Sequence, residues 1–545
     1  MSDPLRQAST RATPQSKRAL GRTDQVQNDA GGFVFETDPW HQLDRFLIMG
    51  TWGNTIYVTE QKLTFDNVSH LMDLISEDPK RVVDRAVEIS DSGRAPRNNP
   101  ALFAVAAVAG QAADAKDRAY ALEQMPKVAR TATHLFTFVN YVQQVRGWGR
   151  SLRRGVANWY TSRTPESVAY QMVKYRQREG WTHRDVLLKA HVRPTDESMA
   201  KAFDFAAGRV EEPTGDEKLA VVDAFLQAQR LGDNDVDEAV KLITDANLPW
   251  EALPDGLLDK PAVWEALLPK MGQTALMRQL PRLTRIGLLQ PLSKHGETVA
   301  NMLTNKERLS KGRIHPISVL NALVTYRSGQ SMRGDTRWNP NEQVVNALDA
   351  AFYQAFEVIT PAGVRTLNAL DVSGSMDGYK VAGSPALSAR EASAAMSLVT
   401  LATEPLTHTV AFTGGGWGRD QRSQNITTLA ISAQQRIDDV VRMTRGLPFG
   451  GTDCALPMLW ALENNVEVDA FHIYTDNETW AGHIHPFEAV RKYREKMGID
   501  AKVIVYGMEG RPFTIADPRD PGMMDVCGLD SSAPQLAADF AGGRL

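Results

Sequence analysis

Two stretches of different hydrophobic period predict an α plus α/β protein, a long helical array followed by a doubly wound parallel sheet. From about Phe65 to Ala355 apolar residues recur three and four apart, as at Val68, Leu71, Met72 and Ile75, which turns one stripe of each helix towards a core. Past Pro361 the short apolar runs TLNALDV, HTVAFT, DAFHIYTD and AKVIVYG alternate with helix-like stretches such as SAREASAAMSLVTLA, QRIDDVVRMTRGL and PFEAVRKYREKM. Strand, crossover helix, strand is the order a parallel sheet requires. At 545 residues the chain exceeds the ~250–300 at which one core stops growing, so at least two folded units are expected.

The first 27 residues are polar and rich in Arg, Ser, Thr and Gln, with no apolar signal segment, and are expected to be a disordered tail. The longest apolar stretch, ALFAVAAVA at Ala101 to Ala109, is half of the roughly 20 residues needed to cross a bilayer and reads as a buried helix. Two cysteines, Cys454 and Cys527, are too few for a disulfide framework and fit a reducing, cytoplasmic setting. Connectors such as SEDPK, EEPTGDE and NLPWEALPDG carry turn residues and keep the helices short. Antiparallel helix pairs over residues 28–362 suggest a stacked array of the HEAT or armadillo kind, with no strands. The change of period near residues 360–365 starts the α/β unit, residues 363–545.

In an open α/β sheet ligands bind beyond the carboxyl ends of the strands. Asp371 ends the first such strand, in NALDVSGSMDGYK, with Ser373 and Ser375 on alternate residues behind it; Thr452 lies in GGTDCALPM before a helix, and Asp476 ends the third strand, in HIYTDNETW. Two carboxylates and three hydroxyls are hard oxygen ligands of the kind Mg²⁺, or Mn²⁺, accepts in octahedral geometry. The competing reading is a turn whose hydroxyls cap the next helix; three separated motifs would then coincide. A phosphohydrolase would want a second acid where Ser373 stands, and TGGGWGRD lacks the lysine of a phosphate loop. His483 and His485 in AGHIHPFE read as a solvated helix start, and Cys454 as a small buried side chain. No catalytic residue is assigned.

The net charge of −4 hides an asymmetry. Residues 146–193 hold eleven Arg or Lys against three acids, +8, so the remainder is −12. Such a strip is the footprint of a polyanion site. Trp148, Trp159, Tyr160, Tyr170, Tyr175 and Trp181 are interleaved with it; aromatic faces stack on unpaired bases, although core packing of helix pairs accounts for the tryptophans at least as well. Lys174 and Arg178 are four apart and, on a helix, share a face. Arg278, Arg282 and Arg285 have helical spacing too, interrupted by Pro281.

The cup of Asp371, Ser373, Ser375, Thr452 and Asp476 resembles the metal-ion-dependent adhesion site of von Willebrand factor A domains. The whole chain resembles the Ro autoantigen, or TROVE, family, through NDAGGFVFETDPWHQLDRFLIMG, THLFTF, WGRSLRRGVANWY, KYRQREGW, GRIHPISVLNALVTYRSG, GGTDCALPM, TDNETWAGHIHP and FTIADPRDPGMMDVCG, in order from about Asn28 to Gly528. The resemblance implies a ring of HEAT-like repeats closed by the A-type domain, with a divalent cation in the cup and a sixth position left for an acidic partner group. It implies binding of small Y RNAs on the outer basic surface, at Lys174, Arg178 and His191 with Arg150, Arg153, Arg154, Arg176 and Arg184 around them. It further implies that misfolded noncoding RNAs send a single-stranded 3′ end into the central hole. A 3′-to-5′ exoribonuclease of the polynucleotide phosphorylase type is the implied partner in RNA quality control, and the ring itself is expected not to be an enzyme. Between THLFTF and WGR this chain has only VNYVQQVRG, shorter than in animal members, which weakens the His191 assignment most.

Overall fold

The computed structural model describes residues 12–50, 69–331, 334–356, 358–378, 380–381, 387–414, 425–447 and 450–545. Phe65, Val68 and most of TGGGWGRD lie outside them.

The chain begins with β1 (Gln25–Gln27) and β2 (Phe33–Glu36) and then turns helical. Helix Pro39–Met49 starts on Asp38, whose side chain accepts from the Trp40 and His41 amides, and stops at Gly50 with φ +78°. Helix Pro79–Ser92 repeats the device with Asp78 and Gly93; an acceptor at the start and a left-handed glycine at the end satisfy the orphan amides and carbonyls. Helix Asn99–Gln111 is apolar all round and buried from Pro100 to Gly110, as the sequence predicts. Helices follow one another as packed neighbours as far as Glu342–Gln354. One interruption contradicts the expectation of helix alone: β3 (Gln177–Arg178) and β4 (Trp181–Thr182) form a hairpin, with Glu179 and Gly180 at positive φ in its turn.

The α/β unit runs β5 (Thr366–Asp371), β6 (Thr407–Phe412), β7 (Ile426–Thr428), β8 (Ala470–Thr475), β9 (Lys502–Gly507), β10 (Phe513–Thr514) and β11 (Met523–Cys527). Six of these make one sheet in the order β11-β9-β8-β5-β6-β7, parallel except for the edge strand β7. Every residue of β5 and β8 is buried, because helices cover both faces, as an all-parallel core demands. The chain leaves β5 for β6 on one side and later builds β8 on the other. The order therefore reverses between β5 and β8, where such sheets bind ligands.

The N-terminal stretch is not a disordered tail over its described part. Strand β2 pairs with β1 and with β10, adding a small three-stranded sheet to the α/β unit. Gln15 is fully buried, its amide donating to Asp453 at 2.7 Å and to the Ile484 carbonyl at 2.9 Å, and accepting from Thr479 at 2.5 Å. The polar composition that suggested disorder serves instead as a set of partners for loop ends that would otherwise hold unpaired buried groups. A Cβ at Gly32 would lie 1.8 Å from the Thr479 carbonyl oxygen, so only glycine lets the two backbones meet there.

Both ends of the helical array meet the α/β unit. Near its start, Arg45, 1% exposed, pairs with Asp525 at 2.5 Å, which His41 also reaches at 2.7 Å, and Arg94 pairs with Asp530 at 2.5 Å. Near its end, His315 contacts the Leu529 carbonyl at 2.8 Å and Asp349 accepts from the Ile437 amide at 3.0 Å. Arg313 also joins Asp91 directly, bringing residues 222 positions apart into contact and closing the array on itself. This is the expected ring of helical repeats closed by the sheet domain.

Candidate metal centre and basic surface

Asp371, the last residue of β5, is fully buried. Its Oδ1 accepts from the Ser373 amide at 2.9 Å and its Oδ2 from Thr475 Oγ1 at 2.7 Å. Ser373 and Ser375 hydroxyls are 3.2 Å apart, but Ser375 lies in the short helix Gly374–Gly378, so a helical turn and not an extended chain brings them together. Asp476, directly after β8, is equally buried; its Oδ1 accepts from the Glu478 amide at 3.0 Å while its Oδ2 is buried without a hydrogen-bond partner. Burial, then the charge of Asp476, pushes the Asp371 carboxyl up to about 7, and burial likewise raises Asp476. Two dehydrated carboxylates with an orphaned oxygen fit a divalent cation. Thr452 is buried beside them in a loop that receives the Trp480 and Ala481 amides at its carbonyl, 3.1 and 3.0 Å. Among the described residues no three His, Cys, Asp or Glu side chains gather into a metal site; a cation here would have the hydroxyls of Ser373, Ser375 and Thr452 and water beside the two carboxylates.

The cup opens into a cavity of about 390 Å³ that Ser375 and Thr452 share with Asp29, Glu478, Trp480 and Arg511. The sequence reading missed these last four. Arg511, 3% exposed, sits among Asp29, Glu478 and Glu509, and Ala30 donates to Glu478 at 3.0 Å. Asp29 comes from the N-terminal stretch, and only tertiary structure brings it within reach. Cys454 is fully buried, its thiol raised well above its usual range by burial and by Asp371, in line with a packing role. His485 departs from expectation: it does start a helix, but it is buried, with Nε2 2.8 Å from the Lys17 carbonyl, whereas His483 is exposed.

The basic strip is on the helical array. Arg150, Arg153, Arg154, Arg176, Arg178, Arg184 and His191 are all exposed. Trp148 packs on Trp181 at 5.9 Å, tying the start of helix Arg150–Thr161 to the β3–β4 hairpin. Tyr160 of that helix meets His183 at 2.9 Å, tying it to helix His183–Ala190. The three segments that carry these exposed arginines are thus tied to one another. Trp159 and Tyr160 are fully buried, so they are core residues rather than stacking platforms.

Lys174 and Arg178 do not share a helical face. Helix Pro165–Lys174 ends at Lys174, and Arg178 lies in β3, beyond the link that Tyr175 and Arg176 make into the hairpin. Lys174 is half-buried over the rings of Tyr170 and Tyr175, 5.4 and 5.5 Å from their centres, and donates to Tyr170 at 3.3 Å. Burial opposes its charge, yet Tyr175, Tyr170 and Glu251 together hold its pKa above the usual value. His191 caps its helix in the left-handed conformation, φ +52°. Arg278, Arg282 and Arg285 lie on one continuous helix, Gln273–Arg285, with Pro281 accommodated inside it.

The TROVE domain model matches residues 26–219 and 244–325, and the Ro60 vWA domain model matches residues 365–541. The chain is 38% identical over 533 residues to the RNA-binding protein RO60 of Deinococcus radiodurans, covering 98% of each. It is 36% identical to the RNA-binding protein RO60 of Caenorhabditis elegans, covering 96% of this chain and 90% of the relative. The crystal structure of the Deinococcus radiodurans RO (RSR) protein superposes with a TM-score of 0.70 at 37% identity, covering 93% of this chain and all of the other.

Proposed function

The chain belongs to the Ro60 family of TROVE-domain proteins, and on that premise we propose that it is an RNA-binding scaffold rather than an enzyme. The observation that carries the reading is the cluster of exposed arginines at 150, 153, 154, 176, 178 and 184 with His191 beside them, held together by the Trp148–Trp181 and Tyr160–His183 contacts. Guanidinium groups on rigid elements bind phosphates through a planar fork, which loses less side-chain freedom per hydrogen bond than lysine would. Y RNA is the ligand proposed for this outer surface, with Lys174 acting from beneath it through its rings and hairpin rather than as a freely exposed contact. Structured or misfolded noncoding RNA with a single-stranded 3′ end is proposed for the ring's centre, and a 3′-to-5′ exoribonuclease of the polynucleotide phosphorylase type as the partner that degrades it. Two relatives named as RNA-binding proteins support the class of ligand.

For the cup we propose Mg²⁺, with Mn²⁺ as its substitute, held by Asp371, Ser373, Ser375, Thr452 and Asp476. Asp371 and Asp476 would give such a cation its charge balance, and the cation would supply attraction for an oxygen ligand. A second reading, a metal-dependent protein-binding module, is favoured by the cavity that Ser375 and Thr452 line next to Trp480, 41% exposed.

The test is a titration of pure protein in Mg²⁺ with a labelled stem-loop RNA bearing a 3′ single-stranded tail, against the same stem blunt-ended. RNA length is checked afterwards. Salt-sensitive, tail-dependent binding with intact RNA is the expected result; shortened RNA would move the cup into a nuclease role, and absence of binding would leave the adhesion reading.

A further inference from the structure

Helix Ile437–Arg445 of the sheet domain stands between the ring and the cup, and side chains from other elements hold both of its ends. Its own N-cap residue, Arg436, makes no side-chain cap and instead reaches Asn346 on the ring helix Glu342–Gln354. Asp349 of that ring helix takes the capping place, accepting from the Ile437 amide at 3.0 Å. Asp438, buried, pairs with Arg436 at 2.9 Å and with Arg327 at 3.6 Å; Arg327 comes from the ring helix Pro316–Arg327 and also holds Glu342. At the far end the Thr444 carbonyl faces Arg390 Nη1 at 3.4 Å. An acid at the first amide and a cation at the last carbonyls satisfy groups that a helix cannot pair internally, and both suit its dipole.

Arg390 lies in the first turn of helix Ala389–Thr403 and is buried. Its Nη2 donates to two carbonyls of the loop that follows β5, that of Val372 at 2.6 Å and that of Ser373 at 3.2 Å. These two carbonyls belong to the peptide planes on either side of Ser373. The first plane also carries the Ser373 N–H, which donates to Asp371 Oδ1 at 2.9 Å. A peptide unit is flat and stiff, so a guanidinium that fixes its oxygen also fixes where its N–H points. Holding both planes sets the backbone of Ser373, and with it the direction of a hydroxyl that lies 3.2 Å from that of Ser375. One arginine therefore ties the end of helix Ile437–Arg445 to the backbone that carries Asp371 and Ser373.

We infer that Arg390 is a positioning residue of the cup, and that through helix Ile437–Arg445 the affinity of the cup for a divalent cation depends on the contacts that helix makes with the ring at Asp349 and Arg327. The inference rests on the reading of Asp371, Ser373, Ser375, Thr452 and Asp476 as a cation site, and the experiment keeps the two apart. Groups that orient metal ligands by hydrogen bonds govern affinity by roughly 10- to 100-fold, and a link between distant sites is worth roughly 5-fold or more.

Full-length protein is titrated with Mn²⁺, the unbound ion being read from its EPR signal, and urea unfolding without metal gives the stability of each variant. The variants are Arg390→Lys, Asp349→Ala with Arg327→Ala at the ring end, Asp476→Ala, and Arg94→Ala, which breaks a different pair between ring and sheet domain, that with Asp530. Arg390→Lys is expected to weaken Mn²⁺ binding about tenfold and the ring-end pair about fivefold, whereas Arg94→Ala lowers stability in urea and changes Mn²⁺ affinity less than twofold. The ring-end pair leaves Arg390 and the cup loop as they are, so it decides the matter if Arg390→Lys does not fold. Loss in Arg390→Lys alone would uphold the positioning residue and overturn the dependence on the ring. Unchanged affinity in both, or an equal loss in Arg94→Ala, would overturn the whole inference while Mn²⁺ binding that Asp476→Ala abolishes still upholds the cup. No Mn²⁺ binding to the unaltered protein would overturn the cup reading and the inference with it.

Discussion

The six arginines exposed on the strip set the salt dependence of RNA binding. If each neutralises one phosphate, log K falls against log salt with a slope of about −4 to −5, taking roughly 0.7–0.9 per contact. A fourfold rise in salt then weakens binding about 300- to 2,000-fold. Replacing Arg153 and Arg154 with alanine removes two contacts from the exposed face of helix Arg150–Thr161. The buried face, Leu152, Gly155, Val156, Trp159 and Tyr160, is untouched, so the fold is retained. The slope should become shallower by about 1.4–1.8. Filter binding of a stem-loop RNA between 50 and 200 mM KCl measures it. Lys496→Ala, exposed on a helix of the sheet domain, should leave the slope as it was. A double variant with weaker binding but an unaltered slope would mean that the arginines act by shape and not by charge, and a wholly unaltered isotherm would place the RNA elsewhere.

Three further outcomes are expected. Adding Mg²⁺ should raise the melting temperature, by an amount equivalent to about 2.7 kcal/mol at a hundred times the dissociation constant; Asp476→Ala should remove the response, and an equal response in that variant would mean the cation binds elsewhere. Gln15→Ala leaves the buried Thr479 hydroxyl and the Ile484 carbonyl without their amide partner, which should cost about 2–4 kcal/mol in urea titration; a change under 0.5 kcal/mol would mean the N-terminal stretch is not a structural brace. Burial alone would raise Asp525, but Arg45 and His41 prevail and hold it below the usual carboxylate range. A depressed folded value contributes stability above pH ~4 that is lost as pH falls through that value. The stability gap between the unaltered protein and Asp525→Asn should therefore be wide at pH 7 and close towards pH 3, whereas a gap constant with pH would show that the pair's charge is not what stabilises the ring.

What the sequence by itself determined was whatever rests on local period and on residue type. The apolar runs placed β5, β6, β8 and β9, because a strand buried on both faces has to be apolar throughout. Asp371, Ser373 and Ser375 were legible as hydroxyls following a carboxylate at a strand end, although Ser375 turns out to lie in a short helix, and Asp476 because ligand loops follow strand ends in a switched sheet. The short strands β1, β2, β10 and β11 were not, since two to five residues carry no period, and β2 finds its second partner, β10, far away in the chain. Nor was the break after Lys174: Tyr175 to Gly180 keeps a helical composition, and what ends the helix is a hairpin whose Trp181 is claimed by Trp148. Tertiary structure alone decided that Gln15 and Gln25 in the polar N-terminal stretch are buried, since hydrogen-bonded partners such as Asp453, Ile484 and Thr479 offset the cost of dehydrating Gln15. It alone brought Asp29 and Arg511 to the rim of the cup and Arg390 against its loop. Contacts spanning hundreds of residues are fixed by how the helical array closes, and no local pattern of side chains encodes a closure.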